Sequence, residues 1–133
     1  MVFSFPRIKF TIRNGTGMIV GIGTDIVDLV RFENLVAEKK YLLNRLFAPN
    51  EQLLSLNSLA GRFAAKEALY KAMNEVQSLS MAEIEVLTDS KGKPFFAMSG
   101  KLAEIMQGHT VHLTITHDAG VAVAFVIVEV LTK

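Results

Sequence analysis

Alanines spaced by four, at Ala60, Ala64, Ala68 and Ala72, constrain this chain more than any other feature. They lie in the run Leu59-Ala-Gly-Arg-Phe-Ala-Ala-Lys-Glu-Ala-Leu-Tyr-Lys-Ala72. That composition favours a helix, and the spacing gathers the alanines into a smooth ridge that another element can approach closely. Packing does not explain Glu67. At about 100° per residue, Glu67 and Lys71 share the border of the ridge, so a carboxylate and an ammonium stand where the helix meets its neighbour. Their i, i+4 spacing suits a surface ion pair worth about 0.3–0.5 kcal/mol. A carboxylate at a packing edge is also a candidate metal ligand.

A second carboxylate stands upstream, in Met18-Ile-Val-Gly-Ile-Gly-Thr-Asp-Ile-Val-Asp28, which reads as a strand. Val20, Ile22, Thr24 and Ile26 point to one side, and Gly21, Gly23 and Asp25 to the other. Glycines inside a strand weaken it and mark close approach by a ligand or another backbone. The nearly bare face ends at Asp25, which is predicted to be exposed and to join Glu67. A turn-capping role for Asp25 is the plainer alternative.

These two segments, followed in order by Gly92-Lys93-Pro94 and Thr114-Ile-Thr-His117, resemble the holo-acyl-carrier-protein synthases, small phosphopantetheinyl transferases, from Met18 to about Val130. The resemblance implies that Asp25 and Glu67 hold Mg²⁺, with Mn²⁺ as an alternative, against the diphosphate of coenzyme A. A serine hydroxyl of an apo acyl carrier protein then attacks, and adenosine bisphosphate leaves. It places His117, Pro94 and Arg62 at the coenzyme, and Arg31 at the acidic carrier protein. Lys71, one turn beyond Glu67, is expected to offset charge on the transferring group, and Glu67 to accept the serine proton. The resemblance further implies a homotrimer with active sites between subunits. Two alternatives keep the fold: a non-catalytic paralogue acting as an assembly or binding module, and a metal-dependent phosphate hydrolase.

The chain departs from the family pattern ahead of Leu59, where Leu53-Leu-Ser-Leu-Asn-Ser58 lacks the usual basic residues. Weakened coenzyme affinity is the expectation, with Arg62 carrying part of the load. Lys39, Lys40 and Arg45 read as a solvated helix face, and His109 and His112 receive no role.

Half the residues are apolar and the length is 133, enough for one core. A net charge of +1 gives no overall pull toward nucleic acid or anionic lipid. Cysteine is absent, which excludes disulfides and thiolate catalysis and suits a reducing, cytoplasmic setting. No apolar stretch reaches the ~18–20 residues of a membrane span, so neither a membrane nor a nucleic acid is an expected partner. Residues 1–17, with Arg7, Lys9 and Arg13 and ending in Asn14-Gly-Thr-Gly17, read as an N-terminal extension ahead of a natural start at Met18. A tag, a start set too far upstream, or a strand-forming arm would each fit that reading. Residues 18–133 read as a single domain.

The remaining pattern predicts a helix from Arg31 to about Leu46, a second from Pro49-Asn50-Glu51, and a hairpin around Asp89-Ser-Lys-Gly92. A short helix over 99–107 and two closing strands follow, turning at His117-Asp118-Ala119-Gly120. The fold class is α+β, with a mainly antiparallel sheet packed against a long helix.

Overall fold

The computed structural model describes residues 16–132. Residues 1–15, most of the segment read as an extension, lie outside this range, whereas Thr16 and Gly17 belong to the first strand. Strand β1 (Thr16–Asp28) is followed by α1 (Leu29–Glu38), α2 (Leu42–Leu46), the long α3 (Leu56–Ala72) and a short hairpin, β2 (Val86–Thr88) with β3 (Pro94–Phe96). Then come α4 (Gly100–Ile105), β4 (His109–Asp118) and β5 (Val121–Thr132). The main sheet is antiparallel in the order β1-β5-β4, with Gly23 opposite Val126, Asp25 opposite Ala124 and His117 opposite Ala122. A one-residue irregularity at Val20 shifts the β1 register between Ile19 and Gly21.

Helix α3 crosses the inner face of this sheet, and the ridge and the glycines explain each other. Ala60, Ala64 and Ala68 are fully buried. A Cβ on Gly23 would lie 1.8 Å from the Ala68 carbonyl oxygen, and one on Gly21 would lie 1.9 Å from that of Ala72. The backbone that the glycines admit is therefore that of the helix. At its other end α3 meets β4, where a Cβ on Gly61 would touch the His117 ring and Ile115 at 3.0 Å. The helix thus runs diagonally from the β4 edge to the β1 edge.

The core continues under α1, where Phe32 packs against Phe63 with ring centroids 5.7 Å apart and edge-on to Phe47 at 6.2 Å. Each such ring contributes about 1.5–3 kcal/mol by leaving water. Among the described residues, no helix is long and apolar enough to cross a membrane.

Two predicted elements need correction. The helix expected from Arg31 to Leu46 begins at Leu29 and breaks into α1 and α2 across Lys39–Tyr41. Phe32 and Val36 are its buried positions, and a continuous helix would have carried Lys39 and Lys40 onto that same face. The helix expected from Pro49 is only a 3₁₀ turn, Glu51–Leu53. It stops because the Glu51 side chain turns inward and Ser55 caps α3, its hydroxyl accepting from the Ser58 N–H at 3.2 Å.

The turn at Asp89 is present as predicted, whereas the one expected over His117–Gly120 narrows to Ala119 and Gly120, because His117 and Asp118 stay paired in β4. The Asp89 carboxylate accepts from the Lys91 and Lys93 amides at 2.8 and 2.9 Å. The β4–β5 turn places Ala119 at φ 49° and Gly120 at φ 76°. On the face of the sheet away from α3, Ile19, Ile22, Ile26 and Phe125 are all exposed.

Candidate active site

Strand β1 and helix α3 bring Asp25 and Glu67 into one cleft of about 210 Å³, walled by Ile26, Val27, Phe32 and Phe63 and reached by Arg31. Asp25 is on the inner face of β1, two residues past Gly23. Glu67 flanks the alanine ridge one residue before Ala68. The close approach that Gly23 allows is what sets the two carboxylates side by side. Asp25 is less open than the bare strand suggested, since its side chain retains 18% exposure. Capping falls instead to Asp28, whose carboxylate accepts from the Arg31 N–H at the start of α1, 2.8 Å.

Burial and the negative charge of Asp25 push the Glu67 carboxyl above its ordinary range, against a smaller opposing pull from Lys71. Lys71 itself reaches across to β1, not along the helix to Glu67. Its Nζ donates to Asp25 Oδ1 at 3.0 Å and to the Thr24 carbonyl at 2.9 Å. With 54% of its side chain exposed, this ion pair is a weak contributor to stability. Its consequence is a cation kept within reach of both acids.

The remaining predicted residues gather on the opposite flank of α3. Ser58, Gly61, Arg62, Thr88, Gly92, Pro94, Ile115 and His117 line a second cleft of about 210 Å³. His117 Nε2 donates to the Asn57 carbonyl at 3.0 Å, which assigns the proton to that nitrogen and turns Nδ1 outward as the other polar atom of the ring. Within one chain, then, Asp25, Arg31, Glu67 and Lys71 form one cluster, and Arg62, Pro94 and His117 form another across the helix.

A buried polar cluster joins this second cleft from behind, and sequence reasoning missed it. Glu51 and Lys66 are inaccessible, and Arg62 is 9% exposed. Lys66 Nζ donates to Glu51 Oε1 at 2.5 Å and to the Leu46 carbonyl at 2.7 Å, and lies 4.9 Å from the centre of the Phe47 ring. Glu51 also accepts from the Ala48 and Val86 amides at 2.9 and 3.1 Å. Arg62 Nε donates to the Val86 carbonyl at 3.2 Å and stands 4.0 Å from Glu51 Oε2. Burial lowers the pKa of both cations, and Glu51 opposes the shift. A signal was available: Leu59, Arg62, Lys66 and Leu69 fall at i, i+3, i+7 and i+10, so two cations share a stripe with two core leucines and require a buried acid.

Among the described residues, no group of three or more His, Asp and Glu gathers at a metal-binding distance. The pair Asp25 and Glu67 offers oxygen donors only. Two carboxylates side by side in one cleft suit a hard divalent cation that keeps waters and takes further oxygens from a substrate.

The chain is similar to known proteins over most of its length. Residues 21–126 match the 4'-phosphopantetheinyl transferase superfamily. A holo-[acyl-carrier-protein] synthase of Clavibacter michiganensis subsp. michiganensis is 45% identical over 115 residues, covering 84% of this chain and 97% of that protein. The crystal structure of a Bacillus anthracis holo-(acyl-carrier-protein) synthase in complex with CoA (3',5'-ADP) superposes with a TM-score of 0.68 at 37% identity, over 85% of this chain and 98% of that one. A Helicobacter pylori synthase in complex with coenzyme A gives 0.69 at 32% identity, over 84% and 99%. The chain belongs to the 4'-phosphopantetheinyl transferase superfamily and, within it, to the holo-[acyl-carrier-protein] synthases.

Proposed function

We propose that this protein transfers the phosphopantetheine group of coenzyme A to a serine of an apo acyl carrier protein and releases adenosine 3',5'-bisphosphate. The observation that carries the reading is the convergence of Asp25, Glu67 and Lys71 on one cleft, in a chain whose relatives are named for this reaction. Asp25 and Glu67 are the residues that would hold Mg²⁺, or Mn²⁺, which shares the preference for oxygen donors. When bound, the cation neutralises charge on the donor diphosphate. The serine oxygen forms a bond to the phosphorus nearer the pantetheine, and the bond from that phosphorus to the bridging oxygen breaks. Glu67, beside Asp25 in the cleft, receives the proton that serine loses. Lys71 supplies a positive charge where the leaving oxygen gathers negative charge.

Arg31 stands at the mouth of this cleft on α1, placed to meet an acidic carrier protein. Arg31→Glu is expected to raise the KM for apo carrier about tenfold or more, with that for coenzyme A changed less than about twofold. Steady-state kinetics with each substrate varied checks the split, and equal losses for both would remove Arg31 from the docking surface.

The two clusters on opposite flanks of α3 also support a site shared between subunits of a homotrimer. One copy would bring Asp25, Glu67 and Lys71, and its neighbour Arg62, Pro94 and His117. The open face bearing Ile22, Ile26 and Phe125, large apolar side chains exposed to water, is the surface for assembly. In that case chains with Glu67→Gln mixed with chains carrying His117→Ala regain transfer that neither has alone, because some mixed interfaces hold both intact clusters. No regain after mixing and reassembly would place the whole site in one chain.

The reaction belongs in the cytoplasm, which a chain without cysteine suits. Its test is intact-mass spectrometry of an apo acyl carrier protein incubated with coenzyme A, Mg²⁺ and this protein, which should gain one phosphopantetheine.

A further inference from the structure

Within the buried cluster two cations share one buried carboxylate, and the half-buried Glu85 adds a second negative charge on the Lys66 side. Lys66 and Glu51 are in direct contact, which makes a neutral pair. Arg62 is the second cation, 4.0 Å from the same carboxylate. Its Nε is committed inward to the Val86 carbonyl. The two terminal nitrogens make no hydrogen bond to the described residues, yet no buried side-chain nitrogen among those residues lacks a partner, so these nitrogens meet solvent. Arg62 also forms part of the wall of the cleft that holds Pro94 and His117. One end of a planar guanidinium is thereby anchored, and the other presents fixed donors of the geometry that phosphate accepts.

We propose that Glu51, 1% exposed and set behind Arg62, is the positioning residue that holds Arg62 for a phosphate of the nucleotide half of the donor. Its carboxylate ties together three segments that frame the cleft. The Ala48 amide belongs to the loop before α3, Lys66 and Arg62 to α3, and the Val86 amide to the strand that carries Thr88. This arrangement accounts for recognition in a chain whose segment Leu53–Ser58 has no basic residue. The fork anchored on the Val86 carbonyl beside a buried carboxylate supplies a fixed positive charge. The inference rests on the transferase reading for the identity of the anion, but not for the anchoring of Arg62.

The test is calorimetric binding of adenosine 3',5'-bisphosphate to the full chain, run beside the transfer assay. Removing Glu51 alone would strand the Lys66 charge, so the informative variant is Glu51→Gln with Lys66→Met, in which the neutral pair is replaced as a pair. It should melt cooperatively and bind the nucleotide about three- to tenfold more weakly. Arg62→Ala in the parent should cost about tenfold or more, and the triple variant no more than about twofold beyond Arg62→Ala, because Glu51 acts through Arg62. If the double variant does not fold, Glu51→Asp keeps the charge on Lys66 while drawing back from Arg62, and should weaken binding in the same way. Parent-like affinity in a folded variant, losses that multiply in the triple, or no nucleotide binding by the parent overturns the proposal. Nucleotide binding without transfer to an apo carrier by the parent overturns the transferase reading and leaves the positioning role of Glu51 standing.

Discussion

Glu67→Gln lowers the turnover of coenzyme A and apo acyl carrier protein by about 10²–10⁴-fold. The substitution preserves size and helix propensity and removes the charge. Glu67 borders the alanine ridge without touching its buried face, so the packing of Ala64 and Ala68 on β1 is undisturbed and the melting temperature should stay within a few degrees. On the proposed mechanism two functions would be lost together: half of the oxygen pair with Asp25, and the acceptor for the serine proton. Asp25→Asn should cost less at the proton-transfer step, because Asp25 has Lys71 as its partner at 3.0 Å and contributes chiefly to cation binding. Radiolabel transfer from coenzyme A under saturating Mg²⁺ separates the two variants. Parent-like turnover with Glu67→Gln would remove it from the chemistry and leave it as an ordinary flank residue.

Gly23→Ala, one methyl group distant from the site, acts on the fold. The new Cβ would fall 1.8 Å from the Ala68 carbonyl oxygen and 2.9 Å from the Ala72 nitrogen, both backbone atoms of the central helix. No rotamer relieves that overlap, and α3 has to lift from β1. The expected cost is about 3–5 kcal/mol, a large part of the roughly 5–15 kcal/mol that holds a domain together. A fall in melting temperature of about 10–20 °C follows, with transfer lost as Asp25 and Glu67 separate. Gly92→Ala is the contrast: nothing lies within 4 Å of its Cβ position, and only its φ of 82° is strained, so the cost stays near about 1 kcal/mol. Thermal melts followed by circular dichroism decide this, and equal melting temperatures for Gly23→Ala and the parent would mean that the helix does not approach the strand as described.

The parts of this architecture that could be read in advance are those in which local pattern and tertiary role coincide. The alternation around Gly21, Gly23 and Asp25 and the four-residue spacing of alanine each announce one side of a single contact, and Asp25 and Glu67 meet because that contact is close. The turns at Asp89 and Gly120 were legible because their residue types are demanded by the local backbone. Where pattern and role diverge, reading along the chain fails. Lys39 and Lys40 interrupt a helix only because the face they would occupy is already covered. Glu51 looks like an acid at a helix start, and its true partners, Lys66, Val86 and Arg62, lie 15, 35 and 11 residues away, so only the folded chain reveals them. The order of motifs also implies one site, whereas the single chain divides it between the two flanks of α3. No local signal carries that division, since it depends on the direction in which the helix crosses the sheet.

The most direct measurement of the central claim is the intact mass of an apo acyl carrier protein after incubation with coenzyme A, Mg²⁺ and the purified protein, with omission of Mg²⁺ and the Glu67→Gln variant as paired controls. A single phosphopantetheine gain is expected with the parent and almost none in either control. An unchanged carrier mass with a folded parent, or consumption of coenzyme A without any gain on the carrier, would contradict it, the first leaving a binding module and the second a phosphate hydrolase.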